Sequence, residues 1–319
     1  MSNIASYYHL NPAKLRRHYK KHSSSFNQWE QKDHANDYML FPKNVGPNLS
    51  IDEVSLSQGE LYTFVTNKEG KGKKGTLVAS IKGTLSKDII NVLSKLPLEL
   101  RETVKEGTLD MAKNMESSIK SCFPKADLVT DRFHVVKLVL DALQHVRIKL
   151  RWKEIDKENE AIERCKKKNE KYVAEIFENG DSKKQLLARG RYLLFKKEAN
   201  WTYNQKERAR ILFKEYPQLE QAYKHVMKLR NIYEDTNVCS ARQRFEHWIK
   251  ESKEHEIKEF NIAANSIEYH LDNILNFFKN RNTNANAESF NAKIKLFRAN
   301  LRGVTDTTFF LFRLHNLFA

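Results

Sequence analysis

A mixed α/β fold carrying a long all-helical stretch is what this sequence predicts, on three observations. Segments rich in Val, Ile, Thr, Tyr and Phe alternate with helical periodicity from residue 46 to 131, and the strand signal then stops. Gly and Pro are scarce, 10 and 6 in 319 residues, which disfavours collagen-like, linker-rich and turn-dense all-β chains and favours long helices. Hydrophobic residues are 40% and aromatics 11%, enough apolar material for a core, so wholesale disorder is excluded. The length fits one or two domains.

The elements follow in order. Residues 1–45 are polar and basic; Pro12 followed by AKLRRHYKKH predicts a short helix with five Lys or Arg, and the segment reads as a basic arm or the remnant of a DNA-binding region. NLSIDEVSL (48–56), LYTFVTN (61–67) and TLVASIKG (76–83) read as three strands of an antiparallel meander. A Gly-rich turn between the last two carries Lys68, Lys71, Lys73 and Lys74. SKDIINVLSKL (86–96) reads as a helix with Ser86 as N-cap and Pro97 as its stop. TVKEGTLDM (103–111) is a fourth strand, NMESSIKSCF (114–123) a second helix and ADLVTD (126–131) a fifth strand. The order βββαβαβ predicts a mixed sheet with helices packed on it, as in the ribonuclease-H-like fold.

Beyond Asp131 the pattern is helical to about residue 275. The run His134–Tyr172 has no Gly or Pro and is long enough that a break or hairpin is expected within it. The predicted organisation is a core of 46–137 plus 276–319, interrupted by a helical insertion domain at 138–275. Cys122, Cys165 and Cys239 lie far apart without a C-x-x-C pair, so a disulfide framework and a four-cysteine zinc site are disfavoured and a reduced, intracellular chain is expected. No run of about 18 apolar residues occurs, and the N-terminus lacks the apolar core of a secretory signal.

The last helix has the clearest spacing. Ala287, Phe290, Ile294, Phe297 and Leu301 recur at intervals of three and four on one apolar face, and Gly303 is a C-cap candidate. Glu288, Asn291, Lys295, Arg298 and Arg302 form a neighbouring polar stripe. One face can therefore pack on a sheet while the other presents a carboxylate and a row of cations.

Charge points to the partner. Lys plus Arg number 56 against 40 Asp plus Glu, a net charge of +16, which implies a polyanion and most often nucleic acid. Three acids sit where chemistry on such a polyanion needs them. Asp52 is in the first strand, Asp110 at the end of the fourth and Glu288 on the last helix. Metal-assisted phosphoryl transfer needs a few hard oxygen ligands converging on a small space, and two strands with a packed helix can supply them.

The residues then show a family resemblance. FPKADLVTDRFHVVK (123–137), preceded by TLDMAKNM (108–115), resembles a stretch of bacterial insertion-sequence transposases of the L-three family. NTNANAESFNAKIKLFRANLRGV (282–304) resembles that family's terminal E-x-x-N-x-x-IK helix, and SIDEVSL (50–56) its first catalytic strand. The resemblance implies a DDE transposase with a ribonuclease-H-like core and a helical insertion. Asp52, Asp110 and Glu288 would be the metal-binding triad for two Mg²⁺ ions, with Mn²⁺ able to substitute. The implied function is cleavage and strand transfer at insertion-sequence ends, on double-stranded DNA, by a homo-oligomer in the cytoplasm associated with the nucleoid. Family members usually carry a cysteine-rich zinc segment and a helix-turn-helix before the core. Here only about 45 residues without Cys precede it, so a separate DNA-binding polypeptide, or a split transposase, is expected to supply end recognition.

Several assignments stay open at this point. Asp131 can be an auxiliary ligand, can replace Asp110 as the second acid, or can join sheet to insertion by hydrogen bonds. His134 can contact phosphate, position a carboxylate, or serve structure alone. Asn291 is one turn from Glu288 and suited to orient its carboxylate. Lys295, Arg298 and Arg302 are candidates for DNA phosphate contact or a solvated helix face. Lys71, Lys73 and Lys74, with Lys68, are candidates for gripping flanking DNA or a soluble loop. Trp201 and Tyr203 suit a helical core better than base stacking. The rival functions are a catalytically silent DNA-binding protein derived from a transposase and a metal nuclease of the same fold.

Overall fold

The computed structural model describes residues 2–57, 59–254, 257–281, 285–301 and 303–319, and side chains within them other than 2, 3, 57 and 285–288. The chain divides into two compact units, one of residues 1–131 with 282–319 and one of residues 132–281.

The first unit opens with helices α1 (Ser2–Tyr7) and α2 (Pro12–His18). Asn11 caps α2, its side-chain oxygen accepting from the amides of Ala13 and Lys14, and Pro12 fills the first helical position where no donor is needed. Then come β1 (Tyr38–Leu40), β2 (Asn48–Ser57), β3 (Glu60–Asn67), β4 (Leu77–Lys82), α3 (Ser86–Leu93), α4 (Leu98–Arg101), β5 (Glu106–Leu109), α5 (Lys113–Cys122) and β6 (Asp127–Thr130). They form a six-stranded mixed sheet in the order β1-β4-β3-β2-β5-β6. β1 through β2 pair antiparallel, while β5 and β6 add parallel to β2. The expected N-cap at Ser86 is not found. Leu85 occupies that position, and Ser86 Oγ instead donates to the carbonyl of Asn114, tying α3 to α5. α3 also ends before Pro97, which precedes α4.

The second unit is helical: α6 (Arg132–Lys167), α7 (Lys183–Arg189), α8 (Tyr203–Glu215), α9 (Pro217–Ile232), α10 (Val238–Glu254), α11 (Lys258–Tyr269), α12 (Leu271–Leu275) and α13 (Phe277–Asn280). The break expected within His134–Tyr172 comes only near its end: α6 runs 36 residues to Lys167, and Asn169 has φ of 55°. Its buried face, including Val135, Val139, Leu143, Val146 and Leu150, ends at Leu150, so packing anchors the helix up to that residue. From Arg151 to Lys167 the helix, rich in Lys and Glu, has no residue in the buried class. The core holds His225 stacked on Trp248 with ring centroids 4.6 Å apart. Trp201 belongs to this core too: its indole donates to the Leu193 carbonyl at 2.8 Å and packs against Phe213 and Tyr223. Tyr203 is exposed.

The chain completes the first unit with α14 (Ala285–Asn300) and α15 (Thr307–Phe318). Alternation along β2 divides the first unit's core between the two faces of the sheet. Leu49 and Ile51 pack with α3 and α5 residues such as Ile89 and Ile119. Val54 and Leu56 pack with Phe290 and Ile294 of α14 and with the aromatic run of α15. Phe26 and Trp29 join that second core, so the basic N-terminal segment is pinned by its aromatics. Gly107 lets α5 lie close on β5, since a Cβ there would sit 2.8 Å from Ile119 Cδ1.

Candidate active site

The parallel pairing of β2 with β5 sets the geometry. Ser50 is level with Thr108, and two residues further along each chain lie Asp52 and Asp110. A step of two residues preserves the face within a strand, so Asp52 shares the face of Ser50, and Asp110 lies immediately beyond the end of β5. Neighbouring strands lie about 4.8 Å apart, a spacing at which two carboxylates can share one cation. Asp52 Oδ1 also accepts from the amide of Glu53 at 2.8 Å, and Asp110 Oδ1 accepts from the amide of Ala112 at 2.9 Å, where α5 begins. Both carboxylates are partly buried and held by backbone donors.

Helix α14 supplies the third side. Asn291 Nδ2 donates to Asp52 Oδ2 at 2.5 Å, and Asn291 is buried at 8% exposure. Asp52 is thus one partner of Asn291; the expected contact with Glu288 lies outside the described residues. Arg298 donates to the carbonyl of Ser55 at 2.9 Å, so the polar stripe lies along β2. Lys295 on that stripe is exposed. Glu288 lies on α14 one turn before Asn291; its side chain, like Arg302, lies outside the described residues.

The lysine loop departs from its expected role at one position. Lys68 is not a surface residue: it is buried at 7% exposure, with Nζ 2.6 Å from Glu106 Oε1 and donating also to Thr108 Oγ1. Lys71, Lys73 and Lys74 remain exposed. Lys71 and Gly72 have φ of 49° and 68°, and Lys293 of α14 donates to the Gly72 carbonyl at 2.7 Å. The loop is thus fastened at its base to β5 and at its turn to α14.

Glu53 adds a carboxylate that sequence reasoning passed over. It follows Asp52 and so lies on the opposite face, where Asn114 hydrogen-bonds it. Burial raises its carboxyl above the usual range, and the charges of Asp110 and then Asp52 raise it further. The adjacent D-E pair was the available signal. Asp131 follows β6, one position beyond the Leu109–Thr130 pair, and its amide donates to the Leu109 carbonyl at 2.8 Å. It therefore sits one strand farther from Asp52 than Asp110 does, buried at 3% exposure. His134 is half-buried in the first turn of α6, edge-on to Phe133.

Among the described residues, no three of His, Cys, Asp and Glu are close enough to hold a metal ion. The Asp52 and Asp110 oxygens have the hard-donor chemistry that Mg²⁺ prefers, and they fit such an ion as two of its ligands.

A family model described as Transposase, that of the ISL3-type DDE enzymes, matches residues 49–314. The chain belongs to the ISL3 family of DDE transposases. The match spans both units, from β2 into α15. This DDE transposase chain is also 22% identical over 273 residues to the transposase for insertion sequence element IS1001 of Bordetella parapertussis, covering 85% of this chain and 60% of that protein. No solved structure matches. Among the described residues no helix is long and apolar enough to cross a membrane.

Proposed function

We propose that this chain catalyses metal-dependent cleavage and strand transfer of DNA at the ends of an insertion sequence, on a ribonuclease-H-like core. The observation that supports the reading is that Asp52 and Asp110 each follow the paired ends of adjacent parallel strands by two residues, with the helix bearing Glu288 joined to Asp52 through Asn291. The strand order, four antiparallel strands followed by two parallel additions, supports the core assignment.

Asp52, Asp110 and Glu288 would hold the divalent ions. Bound there, Mg²⁺ or Mn²⁺ supplies Lewis-acid stabilisation of charge at the transferring phosphorus. Asn291 fixes the rotamer of Asp52, which lowers the cost of organising the site. Asp110 is preferred over Asp131 as the second acid because its strand is the neighbour of the Asp52 strand. Asp131 and His134 are proposed as auxiliary residues. Lys295, Arg298 and Arg302 on α14, and Lys71, Lys73 and Lys74 on the fastened loop, would contact DNA phosphates without reading sequence. Work on two element ends implies an oligomer on DNA in the nucleoid.

The test is cleavage of a supercoiled plasmid carrying the element's own ends, with and without Mg²⁺, followed by strand transfer from precut ends. Wild type is expected to perform both steps and Asp110→Asn neither, with DNA binding intact. Cleavage without strand transfer would assign a nuclease. DNA binding without either step would assign a silent binding protein.

A further inference from the structure

A second cationic site lies within the first unit, at the end of α14 away from Asn291. A cavity of about 350 Å³ is formed where α2 meets Leu301, residues 303–306 and α15. Arg16, Arg17, Lys20 and Arg313 line it, over a floor that includes Tyr19 and Phe309. The acid in its wall, Asp306, is already engaged: it pairs with Lys20 and accepts from the Phe309 amide at the start of α15. Among the described residues, no carboxylate lies within 4.0 Å of the guanidinium groups of Arg16, Arg17 or Arg313.

Arg313 is half-buried, with its guanidinium 4.6 Å from the centroid of the Phe297 ring. Burial pushes its ionisation below the ordinary range, Tyr19 partly opposes this, and the charge of Arg16 adds to it. The guanidinium still stays protonated at any physiological pH. A group of guanidinium ions with aromatic walls and no counter-charge is a receptor for an anion, and the planar donor fork suits phosphate.

Helix rise gives the spacing. Asn291 and cavity-lining Asn300 are nine residues apart on α14, about 13.5 Å along the axis. A duplex advances about 3.4 Å per base pair, so DNA laid along α14 reaches from the carboxylates to the cavity in about four steps.

We propose that this cavity binds the sugar–phosphate backbone of the same DNA duplex whose scissile phosphate lies at the carboxylates, with Arg16, Arg17 and Arg313 as phosphate donors. The inference rests on the DNA reading above and adds a fixed second anchor built from the N-terminal segment and the last helix.

The experiment uses the full chain and a fluorescein-labelled duplex of arbitrary sequence, followed by anisotropy across a salt series. Arg16→Ala with Arg17→Ala removes two exposed side chains, and Arg313→Gln tests the half-buried one. Removing each phosphate-binding cation is expected to reduce the slope of log K against log salt by about 0.9, so the double variant becomes shallower by about two and binds more weakly, with an unchanged melting temperature. Slopes and affinities equal to wild type, in folded protein, overturn the proposal while leaving the transposase reading standing. Saturable binding of dAMP that the variants lose, with duplex binding unchanged, also overturns it and assigns a small-anion site. Failure of the wild-type chain to bind duplex at all removes the DNA reading and this site together.

Discussion

Asn291 Nδ2 and Asp52 Oδ2 meet at 2.5 Å, joining residues 239 positions apart in the chain. The bond ties the sequence-distant helix α14 to the central strand of the first unit, at the position where the resemblance places the first acid. Register along β2 and β5 pairs Ser50 with Thr108, two residues before Asp52 and Asp110. Two chain segments and one amide therefore define the geometry on which the functional reading depends.

Asn291→Ala removes this donor while leaving both acids in place. Loss of such a supporting hydrogen bond typically costs roughly 10- to 100-fold in metal affinity or activity. Metal-dependent cleavage should fall by that factor, with the loss partly recovered at higher Mn²⁺. An activity equal to wild type would show that Asp52 needs no support from α14.

Lys68 and Glu106 form a buried pair, 2.6 Å apart, at 7% and 2% exposure. Lys68→Met leaves the Glu106 carboxylate without its ammonium partner, and breaking a buried pair on one side costs about 3 to 5 kcal/mol. Urea unfolding of the variant should show that loss, and adding Glu106→Leu should restore most of it. A loss below about 1 kcal/mol, the scale of an exposed pair, would mean the pair is solvated.

His315 supplies a pH signature away from the carboxylates. Burial pushes its imidazole below the usual 6.5, the charge of Lys74 adds to this, and Glu30 opposes it. Its ring lies between Trp29 and Phe41, with centroids 5.7 and 4.9 Å away. Above pH 6.5 both folded and unfolded states hold it neutral. As pH falls below 6.5 the unfolded chain takes the proton first, so stability is lost in that direction. Melting temperature should therefore fall more steeply below pH 6.5 in wild type than in His315→Asn. Equal slopes would remove His315 as the cause.

The sequence makes the strands legible because β-branched and aromatic residues cluster between turn signals, and it makes α14 legible because Phe290, Ile294, Phe297 and Leu301 keep helical spacing. Strand β1 is three residues, too short to show alternation. The end of α6 at Lys167 is hidden because a run without Gly or Pro does not say where the helix stops. Lys68 reads as a loop cation, since its partner Glu106 is 38 residues away and only the sheet brings them together. The Asn291–Asp52 bond is hidden for the same reason: spacing along one helix names only neighbours on that helix, and Asp52 is brought to Asn291 by how the helix crosses the sheet. Asp52, Asp110 and Glu288 can be named from sequence, but the parallel pairing of Ser50 with Thr108 just before the two aspartates is register, which no local pattern encodes.

The central claim is that the sheet-end carboxylates of Asp52 and Asp110 form one divalent-metal site. Electron paramagnetic resonance titration of the chain with Mn²⁺, in the absence of DNA, measures this directly. Wild type and Asp131→Asn should bind Mn²⁺ alike, and Asp52→Asn and Asp110→Asn should each weaken binding at least about tenfold while remaining folded. Binding that survives Asp110→Asn and disappears in Asp131→Asn would contradict the claim and move the second acid one strand outward.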